Sequence, residues 1–283
     1  IESNPKIKYW DVYNEPVAVF KEHVAPSGVT RWVSYKGGIE PAMKELYDFV
    51  HSVDSTKIYT NNHYNPSEPS FLELNQYFND NGVHYDAVGM QAHMQTHAGV
   101  LSEHALWKLL TDYESLGKDI QFTELTVTSS RRFNDWRDHQ VFLKKRKAEM
   151  KMGKPLNLPS LPEYETYQSD YVRDFYTLAF SHPSVTSITF WNLSDRNAWR
   201  GHAGGVLDYN LEPKKAYYTL KDLIKNKWHT SVTKTIRPGE TLTFNGFFGD
   251  YYGKIIVNGN SYSFNFKHSK KGTTPIEVNL TKI

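Results

Sequence analysis

The chain has 283 residues, enough for one large domain or for two smaller ones with a sizeable core. Its 33 Lys and Arg residues nearly balance 31 Asp and Glu residues, and the net charge of +2 excludes a global field that would attract nucleic acid or an anionic membrane. The absence of Cys excludes disulfides and thiolate chemistry. The chain has no apolar run of about 18 residues, the length that a membrane-spanning helix needs. We therefore expect no nucleic-acid partner and no membrane partner.

Short strand-like runs alternate with helical patterns over most of the chain, and several of the runs are apolar enough to be buried on both faces. This alternation predicts parallel βα units and an α/β fold. The predicted strands are 7–14, 57–62, 85–93, 119–127 and 185–193, and the predicted helices lie near 36–52, 69–81, 101–116, 166–181 and 213–226.

Five such units fit either an open parallel sheet or part of a closed eight-stranded barrel, and periodicity alone does not separate the two. No G-x-G-x-x-G or G-x-x-x-x-G-K-[ST] turn follows any predicted strand, which counts against a nucleotide-binding open sheet. The barrel, a (β/α)8 or TIM barrel, is the favoured architecture.

Residues 128–165 form a connection too long for an ordinary βα loop, basic at first and rich in Pro later. Long βα loops on barrels usually cover the active face. The basic run is compatible with a nucleic-acid patch, but a solvated helix face is the favoured interpretation. After Trp228, alternating residues with Gly turns at 241–247, 254–259 and 261–266 predict a small antiparallel β unit. We therefore predict a barrel portion at 1–228 and a β appendage at 229–283.

Two glutamates stand where buried strands are predicted to end. Glu15 comes just before Pro16, which cannot continue a central strand, and Glu124 interrupts an apolar run in the fourth strand. Each alone is most often a structural or solvated carboxylate. Together they match glycoside hydrolysis, which needs one carboxyl group that holds a proton and one that stays ionised. A separation of about 5–5.5 Å would predict retention of configuration, and about 6.5–9.5 Å would predict inversion.

Other polar and aromatic residues fall at the same strand ends. Gln91 and His93 are two residues apart and should leave the third strand on one side. Trp191 and Trp199 flank Asp195 after the last strand, and both core packing and stacking on sugar rings suit them.

A metal site is a further possibility to weigh, because the chain has 12 His. The candidate ligands are His63, His93, His97 and His202, but no H-E-x-x-H motif is present. The sequence also lacks the G-x-S-x-G motif of serine hydrolases. We expect neither a metal nor another cofactor.

Five motifs in chain order resemble those of family 10 glycoside hydrolases, which are mainly endo-1,4-β-xylanases on a (β/α)8 barrel. WDVYNE at 10–15 is similar to W-D-V-x-N-E, and TEL at 123–125 is similar to T-E-L-D. The remaining three motifs are NHYN at 62–65, GMQAH at 89–93 and WNLSDRNAW at 191–199. The resemblance covers roughly 1–228, and FNGFFGDY at 244–251 extends it into the tail.

The resemblance implies a retaining mechanism on xylan with Glu15 as general acid/base and Glu124 as nucleophile. It also implies that Asn14 contacts the 2-hydroxyl of the sugar and that His93 hydrogen-bonds the nucleophile. Gln91 and Tyr64 would line the cleft, and Trp191 and Trp199 would form its aromatic walls. A secreted, monomeric enzyme is expected from the resemblance; residues 1–10 lack the charged start and apolar stretch of a signal peptide, so we expect any signal to lie upstream of Ile1.

Several positions depart from the family pattern. His63 stands where the family usually has Asp, and Thr126 replaces the Asp after T-E-L; Asn192 and Ala198 replace Gly and Ser. The first three βα units of the family are also missing, so we expect a portion of a longer protein with weak activity by itself. The alternatives are a retaining glycosidase acting on another β-1,4-glycan and a catalytically inactive carbohydrate-binding fragment.

Overall fold

A computed structural model describes residues 1, 3–18, 27–94, 100–154, 156–269 and 275–283. The chain divides into two compact units, Ile1–Leu220 and Lys221–Ile283. Strands and helices alternate through the first unit, and the second contains an antiparallel sheet. Across the described ranges, no helix is both long and apolar enough to cross a membrane.

The first unit is built on a parallel sheet with helical crossovers. Its strands are β1 (Tyr9–Asn14), β2 (Ile58–His63), β3 (Ala87–Met90), β4 (His93–Met94), β5 (Asp119–Val127), β6 (Val185–Phe190), β7 (Asn192–Ser194) and β8 (Gly205–Leu207). Its helices are α1 (Gly28–Tyr35), α2 (Ile39–Val53), α3 (Pro69–Asp80), α4 (Glu103–Glu114), α5 (Trp136–Lys151), α6 (Pro162–Ser181) and α7 (Lys215–Asp222), the last of which runs two residues into the second unit. Strands β1, β2, β3, β5 and β6 follow one another in the sheet, and every pair is parallel. Because a parallel pair needs a long crossover, at least one helix lies between each of these strands.

Helices cover the inner strands β2, β3 and β5, most of whose residues are buried, whereas β1 and β6 have no buried residue. Helix α2 buries Met43 and Tyr47, and the Tyr47 ring lies 5.2 Å from the ring of Phe78 on α3. The Tyr47 hydroxyl donates to the carbonyl oxygen of Thr60 in β2 at 2.9 Å, so this large ring is buried with its polar atom satisfied. Burying each such side chain stabilises the fold by about 1.5–3 kcal/mol.

The predicted strands occur close to their expected bounds, with two interruptions. The strand expected at 85–93 is split into β3 and β4, because Ala92 adopts a left-handed backbone with a φ of 60°. The strand expected at 185–193 is split at Trp191 into β6 and β7. The long connection 128–165 contains α5, which begins after Asp135, whose Oδ1 accepts from the backbone N–H of Asp138 at 2.9 Å.

The second unit has a three-stranded antiparallel sheet of β9 (Gly249–Val257), β10 (Asn260–His268) and β11 (Thr281–Lys282). Asn258 and Gly259 join β9 to β10 with φ values of 49° and 78°, as a tight hairpin turn requires. The prediction of a strand at 241–247 is wrong, because the structure has no strand there. That segment instead packs on a side chain of the sheet: the Tyr251 hydroxyl donates to the carbonyl oxygen of Phe247 at 2.7 Å.

A buried ion pair holds the end of β7 to the segment before α7. Lys214 Nζ lies 3.1 Å and 3.2 Å from the two carboxyl oxygens of Asp195, and both residues are buried. The N–H of Gly205 also donates to Asp195 at 2.8 Å. Asp195 is therefore a structural residue between Trp191 and Trp199, and it holds the backbone that carries them.

We expect Lys214→Met to lower the free energy of unfolding by about 3–5 kcal/mol, because it leaves a buried carboxylate without its cation. Denaturant unfolding at neutral pH measures the loss. The neighbouring exposed Lys215→Met is the matched control and should change stability by less than about 0.5 kcal/mol. Equal losses in the two variants would contradict the structural role of the pair.

Candidate active site

Polar side chains from four neighbouring strands meet at the carboxyl edge of the sheet. Glu15 follows β1, Gln91 follows β3, His93 belongs to β4 and Glu124 belongs to β5. Because the strands are parallel, these positions lie on the same edge, where catalytic groups of α/β barrels are found. The sequence-based placement of both glutamates agrees with this arrangement.

The amide of Asn62, at the end of β2, lies at the centre of the cluster. Its Nδ2 donates to Asp11 Oδ2 at 3.1 Å, to Asn14 Oδ1 at 3.0 Å and to Glu124 Oε1 at 3.3 Å. Its own oxygen accepts from the Thr123 hydroxyl at 2.7 Å, and this bond fixes which end of the amide faces the carboxylates. Asn62 is almost completely buried, so the amide has little freedom to turn.

Two irregularities in strand pairing bring these partners together. Side chains at 11 and 14, or at 123 and 124, would point to opposite faces of a regular strand. The pairing of β1 with β2 shifts register between Asp11 and Tyr13, and the pairing of β5 with β6 shifts between Phe122 and Leu125. Each shift reverses the alternation locally, as a bulge does.

Gly89 makes room for the Asn62 side chain. The two residues are register partners on β3 and β2. A Cβ atom at position 89 would lie 2.6 Å from Asn62 Oδ1 and 2.8 Å from Thr60 Cγ2, closer than real atoms approach. A glycine is therefore required for the amide to occupy its position.

Glu15 is held by its backbone and by Gln91. Its φ is 61°, a left-handed conformation that costs a non-glycine residue about 1–2 kcal/mol. Gln91 Nε2 donates to Glu15 Oε1 at 2.9 Å and to Asn14 Oδ1 at 3.1 Å. The unusual φ lets two consecutive side chains reach one amide, which fixes the carboxyl group of Glu15 in the site.

His93 contacts the other glutamate. Its Nε2 is 3.1 Å from Glu124 Oε2, and its Nδ1 is 3.2 Å from the Thr126 hydroxyl. The same hydroxyl lies 3.3 Å from the carbonyl oxygen of Glu124. Gln91 and His93 do face the same site, but through the left-handed turn at Ala92 rather than through the simple alternation of a strand.

Two tryptophans stand beside His93. The Trp199 ring centroid is 4.5 Å from that of His93 and the Trp191 centroid is 6.0 Å from it. Trp191 is 47% exposed and Trp199 is 38% exposed, so neither is a core plug and each presents ring surface beside the carboxylates. The backbone N–H of Trp199 donates to Asn192 Oδ1 at 2.9 Å, which gives the Asn that replaces Gly a positioning role.

Tyr64 lies at the end of β2 with its ring centroid 4.6 Å from that of His63. His63 is fully buried, lies 4.9 Å from the Phe71 ring and has its Nε2 3.5 Å from Glu68 Oε2. His63, which departs from the family pattern, is therefore buried, and Tyr64 is the exposed residue of the pair.

A third carboxyl group belongs to the same electrostatic unit. Loss of solvent around the Asp11 carboxyl raises its pKa to about 6; the Asn62 hydrogen bond opposes this rise, and the negative charges of Glu124 and Glu15 add to it. The residue as a whole is exposed along its strand, while its carboxyl group lies against Asn62.

The candidate metal ligands do not assemble in the part of the chain that the structure describes. There, no group of three His, Asp or Glu side chains is close enough to hold an ion. His202 is buried among Phe133, His139 and Phe142, and His97 lies outside the described residues.

Sequence reasoning missed Asp11, Asn62 and Thr123 as members of the site. Asp11 and Asn62 do fall inside two of the quoted motifs, and a run of polar residues in a strand expected to be buried marks Asn62. Nothing in the hydrophobic pattern predicts the two register shifts that bring these side chains together.

Comparisons with known proteins match most of the first unit. The sequence model of glycosyl hydrolase family 10 matches residues 2–223. Endo-1,4-beta-xylanase B of Thermotoga neapolitana is 26% identical over 235 residues, which are 78% of this chain and 58% of that protein. Endo-1,4-beta-xylanase 2 of Arabidopsis thaliana is 22% identical over 277 residues, 97% of this chain and 22% of that protein, so this similarity extends into the tail.

Among solved structures, xylanase 10B of Thermotoga petrophila RKU-1 in complex with xylobiose aligns with a TM-score of 0.56 at 22% identity, covering 79% of this chain and 61% of that one. At this identity the likeness shows the fold, a (β/α)8 barrel. The chain spans about 60% of the length of the relatives that it matches first.

We expect Asp11→Asn to change how stability depends on pH. A raised folded-state pKa means that the native state holds the Asp11 proton more tightly than the unfolded chain does. The resulting stabilisation is present below about pH 3.8 and is lost as pH rises through about 6. The variant lacks this group, so its free energy of unfolding should rise relative to that of the wild type as pH increases from about 3.8 to about 6.

Denaturant unfolding of both proteins from pH 3.5 to 7 measures the difference, which solvent screening keeps modest. Parallel curves for the two proteins would contradict the raised pKa.

Proposed function

Because the chain belongs to glycosyl hydrolase family 10, we propose that it hydrolyses internal β-1,4 bonds of xylan with retention of configuration. Glu124 is the proposed nucleophile and Glu15 the proposed general acid/base. The observation that carries the proposal is the separate fixation of the two glutamates within one hydrogen-bond network. Gln91 holds Glu15, whereas Asn62 and His93 hold Glu124.

The two carboxyl groups would act in two steps. In the first, a Glu124 oxygen attacks the anomeric carbon while Glu15 gives a proton to the departing glycosidic oxygen. In the second, Glu15 takes a proton from water, which displaces Glu124 from the sugar and restores the starting state. Donors on both oxygens of Glu124 orient the nucleophile before the substrate arrives.

Asn14 suits its proposed contact with the 2-hydroxyl of the sugar. Its oxygen already accepts from Asn62 and from Gln91, so its Nδ2 is the end of the amide left to donate to a ligand. Gln91 and Tyr64 are proposed to line the cleft.

Trp191 and Trp199 are proposed to be its aromatic walls. Their exposed rings beside His93 support this role, because ring faces suit the apolar faces of pyranoses.

The proposed substrate is xylan, a polysaccharide. The relatives in Thermotoga neapolitana and Arabidopsis thaliana are named endo-1,4-beta-xylanases, and the Thermotoga petrophila xylanase is in complex with xylobiose. A monomeric, extracellular enzyme is part of the same proposal.

The finer fold proposal is that 1–228 carries the fourth to eighth βα units of the barrel and 229–283 a separate β appendage. The coverage of about 60% of the relatives matched first, together with five successive parallel strands, supports this division.

Azide rescue tests the two assignments with one pair of variants. Glu124→Ala should lower kcat/KM on an activated β-xyloside by at least about a thousandfold, because the covalent step is lost. Added azide fits the space left by the carboxylate and should yield the α-xylosyl azide, with inverted configuration. Glu15→Ala should instead give the β-xylosyl azide, since azide then attacks the glycosyl-enzyme from the opposite face.

The exposed Glu73→Ala on α3 is the control and should retain wild-type turnover. A β-xylosyl azide from Glu124→Ala and an α-xylosyl azide from Glu15→Ala would show that the two roles are the reverse of those proposed. The absence of any rescue in both variants, with wild-type turnover intact, would overturn the mechanism.

A second candidate keeps the mechanism and changes the sugar. Thr126 brings a neutral hydroxyl to His93 where the family usually has an aspartate, and this change beside the nucleophile leaves room for another β-1,4-glycan. Rates on xylan, mannan and cellulose discriminate between the two. Binding of xylan without release of reducing ends would instead indicate an inactive carbohydrate-binding protein.

A further inference from the structure

Arg200 presents an unusual cation at the rim of the candidate site. Its guanidinium carbon lies 4.1 Å from the centroid of the Trp199 ring, and the side chain is half-buried. Within the described ranges, its five N–H donors make no hydrogen bond, and the guanidinium makes no ion pair. A guanidinium that is partly removed from water without an anionic partner is poorly satisfied.

The backbone is held so that this arrangement persists. Arg200 has a φ of 57°, which is strained for a residue with a side chain. The N–H of Gly201 donates to the carbonyl oxygen of Ala198 at 3.0 Å, and the N–H of Leu158 donates to the carbonyl oxygen of Gly201 at 2.8 Å. The bond from Trp199 to Asn192 fixes the other side of the turn. Such strain is typical of functional sites.

A second guanidinium lies behind the turn. Arg146 of α5 packs against Gly201, where any Cβ atom would overlap it, and its buried Nε has no hydrogen-bond partner. Burial lowers the pKa of His202 to about 3, and the charges of His139, Arg200, Arg146 and Arg131 add to this effect. Arg131 is paired with Asp138, whereas among the described residues no ion pair within 4.0 Å joins Arg200 or Arg146 to a carboxylate.

The turn lies beside the proposed chemistry. The Trp199 ring is 4.5 Å from His93, which is 3.1 Å from Glu124, and the charges of Arg200 and Glu15 interact. A sugar against the exposed part of the Trp199 ring, beside the guanidinium that lies over it, would therefore be within reach of the Arg200 donors.

We propose that Arg200, stacked on Trp199, binds the carboxylate of an acidic sugar carried by the glycan. The inference rests on the proposed function and narrows its substrate to a chain substituted with uronic acid. A planar carboxylate can accept two parallel bonds from the planar guanidinium, an arrangement that a neutral hydroxyl cannot reproduce.

Calorimetric binding of two probes tests the inference without requiring turnover. The probes are a linear xylo-oligosaccharide and one of the same length with a single glucuronic acid substituent, measured on the Glu124→Gln background to prevent cleavage. Arg200 should give the acidic probe roughly a tenfold or greater advantage, because hydrogen bonds to charged groups are the strong ones. The advantage should shrink at high salt.

Arg200→Gln should bind the two probes equally while keeping its affinity for the neutral one. Arg200→Lys keeps the positive charge but loses the planar pair of N–H donors, so it should retain only part of the preference for the acidic probe. Arg196→Gln is the matched control: this arginine also lies over an aromatic ring, Tyr209 at 5.8 Å, and its loss should leave the preference intact.

Equal binding of both probes by the protein with Arg200 intact would overturn the inference and leave the proposed function standing. A preference that survives Arg200→Gln would also overturn it. Failure to bind either probe would overturn the proposed function and the inference together.

Discussion

The site depends on the orientation of one amide. Asn62 offers two hydrogens to three acceptors, Asp11, Asn14 and Glu124. Its orientation is imposed from behind by the Thr123 hydroxyl and by the space that Gly89 leaves. Rotation of the amide by half a turn would place an oxygen against the carboxylates and repel them. The distances between the functional groups of β1, β2 and β5 therefore depend on the orientation of this one amide.

The sequence predicts the parallel α/β fold and the two glutamates because both depend on local patterns. Apolar runs identify buried strands, and a carboxylate next to Pro16 identifies a strand end. The parts that could not be predicted depend on strand pairing. The register shifts near Asp11 and Glu124, and the left-handed backbone at Glu15 and Ala92, arise from contacts between segments distant in the chain.

The antiparallel unit contains a segment whose sequence pattern predicts a strand that does not form. Residues 241–247 alternate as a strand should, yet they pack on Tyr251 and form no ladder. Alternation describes which side chains avoid water, and it does not identify the neighbour that covers them. The Asn-Gly sequence at 258–259 correctly predicts a turn, because the conformation of a tight turn is local.

The Thr126 hydroxyl has one proton and two acceptors within reach, the Nδ1 atom of His93 and the carbonyl oxygen of Glu124. When the O–H points to Nδ1, the imidazole is neutral and its other nitrogen donates to the Glu124 carboxylate. When the O–H points to the carbonyl oxygen, the hydroxyl oxygen can instead accept a proton from Nδ1, and a neutral ring would then turn the Nε2 lone pair toward the carboxylate. The direction of one hydroxyl proton therefore selects the tautomer in which a neutral His93 donates to Glu124.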